Sequence, residues 1–130
     1  MKTQSGMKKI FSSNAPVPAG HYEQGWKTGD LVFVSGQLPI DPKTKANNDG
    51  TAAEQTMQSL NNVKAVLEAA GTNLNRVVKV TVYVSDIAKW DEINAAYKDF
   101  FGEHRPARSV VPTPELHYGF QVEIEAIATL

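Results

Sequence analysis

The amino-acid sequence predicts an α+β domain of two layers, with two helices packed on one face of a mixed sheet of about six strands. Three observations lead there. Residues 51–70 and 87–101 repeat apolar side chains at three- and four-residue steps, the spacing of a helix face. Residues 77–85 alternate Val78, Val80, Val82 and Val84 with Lys79, Thr81 and Tyr83, the period of a strand buried mainly on one side. The order of strands, helix, strand, helix, strands fits a single domain over residues 1–130, long enough to bury roughly two-thirds of its unfolded surface.

In chain order, residues 1–9 are polar apart from two methionines and read as a mobile lead-in. Ile10-Phe11 opens an edge strand. Pro16 and Pro18 cannot donate to a sheet ladder, so Asn14 to Gly20 is loop. Tyr22–Thr28 and Leu31–Leu38 flank Gly29-Asp30, a two-residue hairpin turn. Asp41-Pro42 and Asn47-Asn48-Asp49-Gly50 are turn sequences. The first helix runs from Thr51 to Ala70, with Ala53, Met57, Leu60, Val63, Leu67 and Ala70 as its core stripe. Thr51 and Glu54 have the spacing of a capping box, and Gly71 suits a left-handed stop. The second helix spans Ile87–Phe101 between Asp86 as cap and Gly102 as stop, burying Ile87, Trp90, Ile93, Tyr97, Phe100 and Phe101. Ala107–Val111 and Gln121–Thr129 close the chain as strands, around a loop holding Pro112, Pro114 and Gly119.

The helix-facing side of the sheet is uniformly apolar: the valine row, Val32/Val34 and Val122/Ile124/Ala126/Ala128. The other side mixes Phe33, Ser35, Thr81, Tyr83, Arg108, Val110, Glu123, Glu125 and Ile127, and two helices leave it uncovered. Self-association explains such a face better than a monomer does.

Thirteen basic and fourteen acidic residues give a net charge of -1, which argues against nucleic-acid binding through clustered Lys and Arg. The absence of cysteine excludes disulfides, thiolate metal sites and a thiol nucleophile. His21, His104 and His117 lack ligand spacing, so no metal site is expected. No apolar run reaches bilayer length and the N-terminus has no secretory stretch, so a cytoplasmic protein with no membrane contact is expected.

Candidate chemistry is polar. A partly buried guanidinium demands an anionic partner, and the planar fork of Arg108 matches a carboxylate. From its strand alone, an ion pair with Glu123 or Glu125 is the commoner arrangement, a ligand clamp the alternative. Glu123 and Glu125, two apart on a strand, share a face: one suits a general base for water, although a solvated outer face is the plainer reading. Tyr22 and Ser35 offer hydroxyls to orient a substrate, or serve as an interfacial tyrosine and a strand-end serine. His117 lies in Pro114-Glu115-Leu116-His117-Tyr118-Gly119, a loop that lines a pocket or simply packs. Trp26 and Trp90 suit core or interface anchors. Ser35-Gly36-Gln37 lacks the spacing of a phosphate loop.

Asn14-Ala15-Pro16, Gly20-His21-Tyr22-Glu23-Gln24-Gly25, Val34-Ser35-Gly36-Gln37-Leu38-Pro39, Pro106-Ala107-Arg108-Ser109 and Val122-Glu123-Ile124-Glu125-Ala126-Ile127-Ala128 together resemble the Rid (YjgF-type) enamine/imine deaminases, as do Ser59–Gly71 and Asn94–Tyr97. The likeness runs from about Lys9 to the C-terminus. It implies a chorismate-mutase-like fold, a homotrimer with the mixed faces inward, and clefts between subunits that bind small carboxylates. It implies hydrolysis of 2-imino acids to 2-oxoacids and ammonia without a cofactor. The matching residues are Arg108, as carboxylate clamp, and Glu123, as the group that positions or activates water. Tyr22, Ser35, Asn94 and Val110 fall at site-lining positions. With the resemblance added, the clamp reading of Arg108 leads. The sequence differs from the family pattern at His21, Glu23 and Val110, and in the loop 112–119. A carboxylate-binding module without turnover is the alternative function, with ribonuclease or translation-inhibitor activity behind it.

Overall fold

A computed structural model describes residues 6–130. The elements are β1 (Met7–Ile10), β2 (Gly25–Thr28), β3 (Leu31–Gln37), α1 (Ala52–Ala69), β4 (Val77–Val84), α2 (Trp90–Phe101), β5 (Ala107–Pro112) and β6 (Val122–Thr129). They form the α+β fold expected. One six-stranded sheet runs β1-β2-β3-β6-β4-β5. All pairings are antiparallel except β4 with β5, which α2 connects.

Local chemistry sets the ends of these elements. Thr51 and Glu54 form the capping box: Thr51 Oγ1 accepts from Glu54 N at 3.1 Å and Glu54 Oε1 from Thr51 N at 2.8 Å. Glu92 of α2 adds a cap from outside, accepting from Ala53 N at 2.9 Å and tying the two helices together. Gly71 stops α1 at φ 89, with Thr72 N donating back to Leu67 O at 3.0 Å. Gly29 takes φ 55 in the β2–β3 turn, a conformation in which a Cβ is strained. Asp86 caps a 3₁₀ turn at Ile87–Lys89, so α2 proper starts three residues later than expected.

The core lies between the helices and the sheet face carrying Val32, Val34, Val80, Val82, Val84, Val122, Ile124, Ala126 and Ala128, all buried. Each such valine or isoleucine contributes about 1.5–3 kcal/mol, so this apolar row dominates the stability.

Several expectations need correction. Met7–Lys9 belong to β1 rather than a mobile lead-in; Lys8 and Lys9 mask the strand because a charged edge strand is polar on both sides. Residues 1–5 of that proposed lead-in lie outside the described residues. The pairing of β4 with β6 shifts register between Val77 and Lys79, so Val77 is buried and Val78 is 47% exposed. On α1, Ala53 and Met57 are only partly buried, while Gln55, Thr56, Ser59 and Asn62 are buried. The helix is rotated from its purely apolar stripe because small polar residues pack closely and most find hydrogen-bond partners. Ile87 and Trp90 precede the part of α2 that meets the core and are exposed.

The largest correction concerns β5. Arg108 pairs with Val80 and Val110 with Val82, so both point to the helix side of the sheet, not the mixed side. Ala107, Ser109 and Val111 take the mixed side instead, opposite Lys79, Thr81 and Tyr83. The mixed face still exposes Trp26, Leu31 and Phe33.

Candidate functional site

The site begins with an irregularity in β3. Between Val34 and Gln37 the pairing with β6 shifts, leaving Ser35-Gly36 as a bulge beside Glu125 and Glu123. Ser35 Oγ donates to Glu23 O at 2.6 Å, fastening the bulge to the segment ahead of β2. At Gly36 a Cβ would stand 2.3 Å from Glu123 Oε2, so glycine leaves the space the carboxylate occupies. Burial raises the Glu123 pKa above its ordinary 4.5; nearby His117 opposes the rise and Glu125 adds to it. Glu125 accepts a hydrogen bond from Tyr83 Oη at 3.3 Å. The Tyr83 pKa is in turn raised, first by burial and then by Glu125.

Around these carboxylates opens a pocket of about 550 Å³, walled by three loops. The loop before β2 supplies Pro16, Val17 and Tyr22, the end of β3 supplies Leu38 and Ile40, and the loop before β6 supplies His117 and Tyr118. Tyr22, Ser35, His117 and Glu123 all line this pocket.

The loops hold position through buried amides. Gln24 is almost wholly buried, accepting from Ser12 N at 2.6 Å and donating to the carbonyls of Ser12 at 3.1 Å and Pro16 at 3.0 Å. Asn62 of α1 donates to Leu38 O and Ile40 O, each at 3.0 Å. Gln55 accepts from Gln121 N at 2.8 Å, anchoring the start of β6. These polar residues on a core face are otherwise costly, and their bonds to loop backbone explain their burial.

Arg108 and Asn94 form a second cluster, on the other side of the sheet. Asn94 Oδ1 accepts from Arg108 Nη1 at 2.8 Å. The guanidinium carbon lies 4.7 Å from the Tyr97 ring centroid and 5.8 Å from that of Trp90. Trp90, Asn94 and Tyr97 are spaced i, i+4 and i+7 on α2, so one helix face presents all three. Burial lifts the Tyr97 phenol to about 12, with the charge of Arg108 pulling the other way. Val110 packs at the margin of the core on the same side. Among the described residues no carboxylate forms an ion pair with Arg108. The pairing with Glu123 or Glu125 weighed from sequence does not occur, because those carboxylates occupy the opposite face.

Sequence reasoning missed Gly36, Gln24, Tyr118 and the Trp90/Tyr97 flank of Arg108. Only the last had a readable signal, the helical spacing around Asn94; the others depend on which loops meet. Among the described residues no three His, Asp or Glu side chains gather closely enough to hold a metal ion. No helix of the described residues is long and apolar enough to cross a membrane.

Fold and site together define a small α+β protein with two polar clusters, one acidic among three loops and one cationic where β5 packs against α2. Residues 12–130 match the family model described as Endoribonuclease L-PSP. The chain belongs to this family, which is the Rid (YjgF-type) family its motifs resemble. It is 49% identical over 119 residues to a RutC family protein of Pyrococcus horikoshii, covering 92% of this chain and 94% of that one. It is 47% identical over 124 residues to the 2-iminobutanoate/2-iminopropanoate deaminase of Salmonella typhimurium, covering 93% and 96%. Among solved structures, E. coli TdcF with bound serine superposes with a TM-score of 0.91 at 40% identity, covering 95% and 98%.

Proposed function

We propose that the protein is a cofactor-free hydrolase of 2-imino acids, working as a homotrimer in the cytoplasm. Arg108 of one protomer and Glu123 of its neighbour face a shared cleft. The observation that carries this reading is the state of Arg108: a guanidinium held by an amide and two aromatic rings, none of which neutralises it. Its charge is therefore available to a substrate carboxylate, with which it forms parallel hydrogen bonds. The names of the deaminase relative and of serine-bound TdcF support a small amino-acid-like ligand.

An imine is already electrophilic, so the reaction needs a held substrate and a placed water. Glu123 takes a proton from water as the oxygen bonds to the carbon of the protonated imine (C=NH2+) and the C=N electron pair moves to nitrogen as its lone pair. The resulting carbinolamine receives the proton back from Glu123 on nitrogen. The C–N bond then breaks, ammonia leaves, and the hydroxyl gives its proton to the Glu123 carboxylate, leaving the 2-oxoacid. A carboxylate whose pKa is raised by burial is better matched to both transfers near neutrality than an ordinary one. Tyr22 and Ser35 border the reacting group, Asn94 aims Arg108, Val110 supports the strand that carries it, and His117 borders the pocket and moderates the Glu123 charge. Ribonuclease activity is disfavoured, because Glu123 and Glu125 in the pocket repel a phosphodiester.

The test is complementation. Arg108→Ala abolishes the acceleration of 2-iminopropanoate loss and Glu123→Gln lowers it by about 10²–10⁴-fold, with imine generated in place by an amino-acid oxidase. Refolding the two impaired chains together in equal amounts restores about a quarter of wild-type activity, the fraction of shared sites that receive both intact residues in a cyclic oligomer. Full activity in Arg108→Ala, or no recovery on mixing, rejects the shared cleft.

A further inference from the structure

Tyr118 is a bulky residue in the left-handed backbone region, at φ 59 and ψ 17. Such a conformation is strained for any side chain with a Cβ, and Gly119 beside it at φ 72 shows what the turn prefers. The ring is nevertheless 64% exposed, so the core does not explain why tyrosine stands there. It is braced edge-on against buried Phe120, at 5.7 Å between centroids, and tilted against His117 at 5.8 Å. The strained turn thus holds an exposed aromatic ring on the wall of the pocket around Glu123.

The surrounding wall has the same character. Val17 and Tyr22, both exposed, line the pocket with Leu38 and Ile40, and no Lys or Arg lines it. A volume of about 550 Å³ far exceeds what a methyl or ethyl side chain fills. We propose that Tyr118 is a specificity-determining residue that selects 2-imino acids with an aromatic or large branched apolar side chain. The inference rests on the imine-hydrolase reading for its substrate, and the strain in the turn is what selectivity costs the fold.

Tyr118→Gly separates the two roles. Relief of strain offsets the extra freedom of glycine in the unfolded chain, so Tm stays level or rises by a few degrees, about 3 °C. The ratio of kcat/KM for the phenylalanine-derived imine over the alanine-derived imine falls about tenfold. A parallel calorimetric titration compares phenylpyruvate with pyruvate, and their affinity ratio falls by a similar factor. If wild-type protein accelerates loss of neither imine, the hydrolase reading fails while the affinity ratio still decides the role of Tyr118. If both ratios survive the substitution, or if wild-type protein favours an arginine-derived imine over both, the selectivity proposal is overturned.

Discussion

The pocket around Glu123 is walled by three loops, whereas the guanidinium of Arg108 rests on one face of one helix. The first arrangement depends on long-range fastening: Gln24, Asn62 and Gln55, all buried, hold the loop backbones where an apolar residue of similar size could not. The second needs no such pins, since helical spacing alone brings Trp90, Asn94 and Tyr97 to one side. The electrostatics differ as well. Burial penalises the Glu123 charge and raises its pKa. Arg108 lies against π faces and an amide oxygen, which orient a cation without cancelling it. In the proposed reaction the first cluster serves proton transfer and the second static attraction. They lie on opposite faces of one sheet, so the proposed reaction, which uses both, takes them from two copies of the chain.

Three substitutions break or sharpen that contrast. The largest effect belongs to Glu123→Gln, which lowers kcat by about 10²–10⁴-fold, the usual contribution of a general base. It also moves stability in the opposite direction. A carboxyl whose folded pKa is raised binds protons more tightly in the folded state, so its stability contribution declines as pH climbs from 4.5 through the raised value. Glu123→Gln therefore unfolds at a higher Tm than wild type at pH 7, and the gap closes below pH 4.5; a thermal scan across pH that finds no gap at neutrality contradicts the desolvation argument.

Gly36→Ala ranks next. The new Cβ would overlap Glu123 Oε2, so the carboxylate must turn away, and kcat falls by about 10–100-fold with KM changed less. Steady-state kinetics showing an unaltered kcat would mean that the bulge does not define the carboxylate's working position. The smallest effect is at Trp90. Replacing it by leucine removes a π face from the guanidinium and raises KM by about fivefold, while phenylalanine retains most of the affinity. Equal KM values for the two variants would show that the ring contributes only bulk.

Much of the framework was legible because it is local. The capping box at Thr51 and Glu54, the stop at Gly71 and the Gly29-Asp30 hairpin each depend on residues within a few positions of one another. Four of the site residues read from sequence, Tyr22, Ser35, His117 and Glu123, do line one pocket. The face of Arg108 was not legible. In Ala107-Arg108-Ser109-Val110-Val111 both alternating sets are of mixed polarity, so hydrophobic period cannot say which set meets the helices. The same ambiguity concealed the swap of Val77 for Val78, where a register shift inverts the pattern.

By itself, the order of residues determined which helices and strands form, the two ends of α1, the β2–β3 turn and which β3 and β6 side chains turn inward, since capping, turn geometry and strong alternation act over short spans. Tertiary structure decided the side of the sheet on which Arg108 lies, the loops that meet around Glu123, and the glycine that makes room for its carboxylate. Those outcomes follow from strand register and from buried hydrogen bonds between residues far apart in the chain, which exist only once the layers have packed.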